Sequence, residues 1–264
     1  MYLDQAPTNA NFYPDAEALQ PYAETMAAYD QVVAPIQAQL AAGTPAEKVG
    51  GYLGSGANKH AFRATTAEGQ VVVVKTLQPE PHRLVTVGED AAAYLAGRIT
   101  AESAPLIANQ NADPDDDAFE QLLAVNPQEG VMVTSLKPGK RVYDASLWDL
   151  LSIKPRHLER LGRSLDIMRD RGLHPHNAGG ILFDPQSGFN FVDYHFDSDP
   201  LNKGSIETVQ DFLDYATADL KAIDEMHEAR QLGAPVNMDS YRAGPLRGIT
   251  QAIVARRAKN LAVS

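Results

Sequence analysis

The 264-residue chain contains no cysteine. Disulfides and thiolate metal sites are therefore excluded, while the length suffices to bury a real core in one medium domain or two small lobes. The missing thiols do not select a compartment, since such a chain folds in reducing and oxidising surroundings alike. Long apolar runs are missing too. No stretch approaches the roughly 20 residues that cross a bilayer, so no membrane span is expected. The first residues, MYLDQAPTNANFYPD, lack a basic segment followed by an apolar one, so a conventional signal peptide is not expected either. Excess positive charge is also lacking, the formal net charge being −11. A polyanion is repelled on average, which argues against nucleic acid as a partner. The basic run from Arg256 to Lys259 reads as a solvated helix face.

What is present falls into three parts. Residues 1–47 are rich in Ala, Gln and Pro. Their apolar spacing predicts two or three short helices, broken at Pro21 and Pro35 and ending near Gly43, with Thr44 and Pro45 opening a fresh one. At Gly50 the character changes. GGYLGSGANKHAFRATTAEGQVVVVKTL predicts strand, glycine turn, strand, a hairpin at Glu68-Gly69 and a β-branched strand. GEDAAAYLAGRIT predicts a helix, and NADPDDDAF an acidic, solvated loop whose aspartates miss the alternate-ligand spacing of a calcium loop. EGVMVTSLKPGKRV predicts a strand running into a Pro-Gly turn. In PRHLERLGRSLDIMRDRG, Leu158, Leu161, Leu165 and Met168 share one helical face and Gly172 suits the helix end. GILFD and FNFVDY predict two strands joined at Pro185-Gln186-Ser187-Gly188, and the remainder is helical, starting near Ser205 and Thr208. The fold class is α+β, with a helical extension over 1–47, a small sheet with one helix over 48–136 and a mostly helical part over 137–264.

Candidate chemistry gathers in two places. Gly54 and Gly56, with Ser55 between them and Lys59 after, let a backbone turn approach a phosphate and offer it N–H groups. No Gly-Lys-Ser/Thr opens a helix there, so this is not a Walker A loop. A three-stranded meander brings the Lys75 ammonium beneath that turn, where Glu89, at the start of the Ala-rich helix, can pair with it. The second place is RGLHPHNAGGILFDPQSGFNFVDYHF, which holds His174, His176, Asn177, Asp193 and His195. A zinc site there would draw on the three histidines and Asp193 and needs a chelating geometry.

Glycine turn, strand lysine and helix glutamate, in that order, resemble the protein-kinase-like superfamily, which includes aminoglycoside phosphotransferases and reduced bacterial effector kinases. The resemblance covers roughly residues 50–200 and implies a bilobal fold with a small antiparallel-sheet N-lobe and a reduced helical C-lobe. GVMVTSLKPGKRV resembles the segment joining the lobes, and NFVDYHF resembles the metal-binding strand, with Asp193 as metal ligand and DYH where the family has Asp-Phe-Gly. LHPHN resembles the catalytic loop of phosphotransferases, with Asn177 as the second metal ligand, and the Asp170, Arg171, His174, Asn177 series also resembles that of phosphoinositide kinases. No aspartate stands where the family places its catalytic base. His176, His174 and Asp170 are the candidates, since a neutral imidazole accepts a proton near neutral pH.

The resemblance implies ATP and Mg²⁺ as cofactors, with Gly54, Ser55, Gly56, Lys59, Lys75 and Glu89 around the nucleotide. It implies a protein hydroxyl as substrate, a host protein being the class such effectors modify. The activation loop and Ala-Pro-Glu segment of eukaryotic-type kinases are missing from the short stretch after Asp193, so activity is expected to be constitutive or set by an activating partner. The expected location is soluble, in a bacterial cytoplasm or delivered into a host cell. Three alternatives stand beside this reading: a catalytically inactive kinase-like binding module, AMP transfer by a kinase fold, and a small-molecule kinase for cationic substrates lined by Asp211, Asp214, Asp219, Asp224 and Glu225.

Overall fold

The computed structural model of the chain describes residues 16–55, 59–77, 91–112, 117–142, 152–175, 180–196, 208–209 and 211. It opens with helix α1 (Ala16–Glu24), a 3₁₀ turn (Met26–Tyr29) and helix α2 (Asp30–Ala41). Pro21 and Pro35 were expected to break these helices, yet both lie inside them, and the break falls at the 3₁₀ turn. A proline removes its own N–H bond and crowds the preceding turn, and the burial of Val33 and Ile36 around Pro35 offsets that cost. The helix expected after Thr44 is a single 3₁₀ turn, Ala46–Lys48.

Strands β1 (Tyr52–Ser55), β2 (Lys59–Thr65), β3 (Val71–Leu77), β4 (Leu122–Asn126) and β5 (Val131–Ser135) form one antiparallel sheet in the order β1-β2-β3-β5-β4. The expected meander of β1, β2 and β3 is present, with its second turn closed by Thr66 and Gln70 around Glu68-Gly69. Strand alternation gives the sheet two unlike faces. On one, Phe62, Val72, Val74, Ala124, Val131 and Val133 pack against Met26, Val33, Ile36, Ala46 and Val49. Residues 16–49 thus supply half of this core rather than standing apart from it.

The other face carries Val73, Lys75, Met132 and Thr134. Helix α3 (Ala91–Ala112) is tied to this sheet, since Gln110 bonds both backbone groups of Leu122 at the start of β4. β4 was not anticipated.

Chain contacts divide the molecule into two compact units, residues 1–116 with 120–136, and residues 117–119 with 137–264. In the second unit, β6 (Lys140–Arg141), β8 (Ile181–Asp184) and β9 (Gly188–Phe191) form a three-stranded sheet, and β7 (Leu173–Pro175) pairs with β10 (Tyr194–Phe196). Helix α4 (Pro155–Asp170) buries Leu161, Leu165 and Met168 and ends at Gly172, whose φ of +62° suits a glycine. Leu158, expected on the same face, is only half-buried. Phe183, Phe189 and Phe191 are fully buried. Asn190, 1% exposed, ties the hairpin down by donating to the Pro138 carbonyl at 2.9 Å. Among the described residues, no helix is long and apolar enough to cross a membrane.

Candidate functional site

In the first unit, cross-strand pairing sets Gly54, Ala61, Lys75 and Met132 in one row across β1, β2, β3 and β5. Directly opposed residues share a face, so Lys75 is flanked on the glycine side by a methyl group and then by no side chain at all. Lys75 is 8% exposed. A cation that deeply placed requires a partner, and it has one. Nζ lies 2.7 Å from Oε2 of Glu120, itself 1% exposed, and Oε1 of Glu120 accepts a 2.6 Å bond from the Thr134 hydroxyl.

The position of Glu120 follows from its neighbours. Gln121 exchanges two 2.9 Å bonds with Ser135, its N–H donating to the Ser135 hydroxyl and its carbonyl accepting from the Ser135 N–H. Gln110 then holds Leu122. The strand foot is thereby stitched to β5 and to α3, with Glu120 two residues before Leu122, the residue opposite Thr134.

Sequence reasoning paired Lys75 with Glu89. The carboxylate at the ammonium is Glu120 instead, and Glu89 lies outside the described residues. Gly56 also lies outside them. Ser55 sits at the end of β1, its hydroxyl accepting a 3.0 Å bond from Tyr52. Lys59 does not reach freely into the turn. It pairs with Glu102 of α3 at 2.8 Å, and Arg98 reaches the same carboxylate at 3.2 Å.

In the second unit, the β7–β10 register sets His174 opposite His195 and Pro175 opposite Tyr194. Asp193 immediately precedes β10. Its φ is +56°, the left-handed region, which among side-chain-bearing residues Asp and Asn tolerate best. Gly180 makes room for this corner, since a Cβ on it would stand 2.6 Å from the Val192 carbonyl oxygen, and its own carbonyl accepts the Val192 N–H at 2.9 Å. Segment 176–179 contains His176 and Asn177, which lie outside the described residues. Both described ends of that segment, Pro175 and Gly180, rest against the backbone flanking Asp193. His174 is buried in β7, whereas Asp170 is exposed in the last turn of α4.

No family model matches the sequence, and no curated protein matches it.

Among the described residues, no three His, Asp or Glu side chains converge as a metal cage; of the zinc candidates His174, His176, His195 and Asp193, His176 and the His195 side chain lie outside the described residues. Mg²⁺ asks for less, since one or two carboxylates plus substrate phosphates and water complete its octahedron. Asp193 fits that requirement. Asp211, considered as lining for a cationic substrate, is hydrogen-bonded to Thr208. Its carboxylate accepts from the Thr208 N–H and hydroxyl at 2.8 and 2.7 Å, while its own N–H donates to that hydroxyl at 3.1 Å. Asp214, Asp219, Asp224 and Glu225 lie outside the described residues.

Glu120 and Thr134 escaped the sequence reading. The signal was present, because LLAVN and VMVTS flank Pro127-Gln128-Glu129-Gly130 as two apolar runs flank a hairpin turn. That hairpin places Glu120 at the foot of a strand.

Proposed function

We propose that the chain is an ATP- and Mg²⁺-dependent phosphotransferase with a bilobal, reduced protein-kinase-like fold, acting on a protein hydroxyl. One observation carries this reading: Lys75 sits in the same cross-strand row as Ala61 and Gly54, with its ammonium held by a buried carboxylate. A lysine kept only for solubility would point to water. This one is buried on a sheet face where the neighbours towards β1 are an alanine and a glycine. Leu53, half exposed and next to Gly54, adds an apolar surface of the kind a nucleobase covers.

In the second unit, Asp193 holds a backbone conformation that costs energy, and such conformations concentrate at functional sites. Asn177 belongs to the short segment whose two ends flank it. Mg²⁺ held by Asp193 and Asn177 would neutralise phosphate charge. Lys75 would bind the α- and β-phosphate oxygens. The attacking hydroxyl oxygen would form a bond to the γ-phosphorus as the bond to the β–γ bridging oxygen breaks, ADP would depart, and the hydroxyl proton would pass to His176, His174 or Asp170 as base. Loss of the family's aspartate is tolerable because positioning and charge compensation supply most of the acceleration.

A second reading is a non-catalytic, kinase-like binding module. It is favoured by the same ion pair, which balances the charge of Lys75 without any ligand.

Thermal denaturation with ATP, with and without Mg²⁺, separates the two. A ligand at 100 times its dissociation constant stabilises by about 2.7 kcal/mol. The wild type is expected to gain a Mg²⁺-dependent rise that Asp193→Ala loses. No rise in the wild type selects the binding module. Intact-mass spectrometry of candidate substrates after incubation with Mg-ATP then tells phosphoryl from adenylyl adducts.

A further inference from the structure

We propose that Glu120, clamped by Thr134, is the positioning residue that fixes the Lys75 ammonium for nucleotide phosphates. The inference rests on the phosphotransferase reading and names which carboxylate that site depends on. Lysine ends a flexible four-carbon stem, so a useful geometry must be imposed on it from outside. Here the constraint is complete on the acid side. Oε2 of Glu120 takes Lys75 Nζ at 2.7 Å and Oε1 takes the Thr134 hydroxyl at 2.6 Å, so the carboxylate plane cannot rotate without breaking one bond. Its side chain is 2% exposed, and water cannot easily replace either partner.

The constraint is incomplete on the base side. An ammonium carries three donors, and Nζ makes no other hydrogen bond among the described residues. Its remaining donors are left for phosphate oxygens, and 11% of the side chain is still open to solvent. The backbone of Glu120 is equally well fixed, by the Gln121–Ser135 pair of bonds and the Gln110–Leu122 bonds on its C-terminal side. Its segment is the strand foot after α3, whereas Glu89 lies outside the described residues. The Lys59–Glu102 pair joins β2 to α3.

Two measurements on the full chain decide the matter. The first is labelling of Lys75 by an amine-acylating reagent without nucleotide, followed by peptide mass spectrometry. Glu120→Gln is expected to label several-fold faster than wild type, while Glu89→Gln labels at the wild-type rate. The second is the dissociation constant for Mg-ATP. Glu120→Gln is expected to bind about 10- to 100-fold more weakly, taking the range known for the outer partner of a metal ligand, and Glu120→Asp is expected to recover part of the loss.

Because Glu120→Gln leaves a buried cation exposed to unfolding, Thr134→Val serves as the milder variant. It keeps the ion pair and removes only the clamp, so it is expected to raise labelling and weaken Mg-ATP in the same direction by a smaller factor. Faster labelling in Glu89→Gln alone, or wild-type Mg-ATP affinity in both Glu120→Gln and Thr134→Val, overturns the role of Glu120 and spares the nucleotide reading. Absence of Mg-ATP binding in the wild type overturns both.

Discussion

At Asp184 a single carboxylate organises a turn. Oδ1 accepts from the Gln186 N–H at 3.0 Å, from the Ser187 N–H at 2.7 Å and from the Ser187 hydroxyl at 3.0 Å. Burial pushes its pKa up, but the Ser187 and Gln186 donors, with His157 nearby, outweigh that and hold it below the ordinary carboxylate range. A depressed folded pKa means stability that is fully present above the unfolded value, about 3.9, and is lost as the pH falls through the folded one. Asp184→Ala is therefore expected to lose about 1 kcal/mol at pH 7, a figure kept small because the group is largely solvent-screened. The gap to wild type should close as the pH drops below the normal aspartate range. Urea melts at pH 7, 4 and 2.5 check this, and a gap that stays constant with pH would assign the effect to packing. The same scale shows why Lys75 was legible and its partner was not. A lysine ending a run of four valines stands out in any window. Glu120 follows an acidic loop and reads as more of it, because only the tertiary approach of β5 and α3 turns it inward.

Elements with a local signal were readable, and those made by distant pairing were not. The meander carried Gly-rich and β-branched punctuation, the β8–β9 hairpin had its Pro-Gln-Ser-Gly turn, and α4 had its apolar stripe. β7 and β10 are three residues each and exist only because they meet each other across the intervening hairpin. Such short strands leave no periodicity to detect. The proline rule misled in the opposite direction at Pro21 and Pro35. In α2, Pro35 is exposed, and an amide there would donate to the Gln31 carbonyl. Pro35→Ala supplies that donor and removes the ring from the preceding turn, while Val33 and Ile36 keep their places. The gain exceeds the unfolded-chain entropy that proline withholds, roughly 0.4–1 kcal/mol. A net stabilisation of about 1 kcal/mol is expected, a rise of roughly 2–4 °C in Tm. A lower Tm in calorimetry would show that α2 is bent around the proline in a way that alanine cannot reproduce.

The whole molecule is not divided at one point in the chain, and this has a consequence for cutting it. Residues 117–119 belong with 137–264, yet Glu120, the very next residue, belongs with the first unit. Phe119 is fully buried, its ring stacked 5.3 Å from Phe191 and edge-on 5.8 Å from Tyr194, and the Ala118 carbonyl accepts the Phe191 N–H at 2.8 Å. A fragment ending at Leu136 keeps Phe119 but loses the Phe191 and Tyr194 rings that pack against it. Uncovering a phenylalanine forfeits about 1.5–3 kcal/mol of burial and leaves an apolar ring free to associate. The fragment 1–136 is therefore expected to self-associate, and Phe119→Ser within it to restore a monomer in analytical ultracentrifugation. In the full chain the same substitution is expected to destabilise by about 3–5 kcal/mol, the range for removing a buried phenylalanine. The reversal of sign between fragment and full chain makes the test specific. A surface phenylalanine would change neither, and one buried within the sheet of the first unit would harm both. A monomeric fragment that Phe119→Ser leaves unchanged or unfolds would show that residues 117–119 are held by the first unit after all.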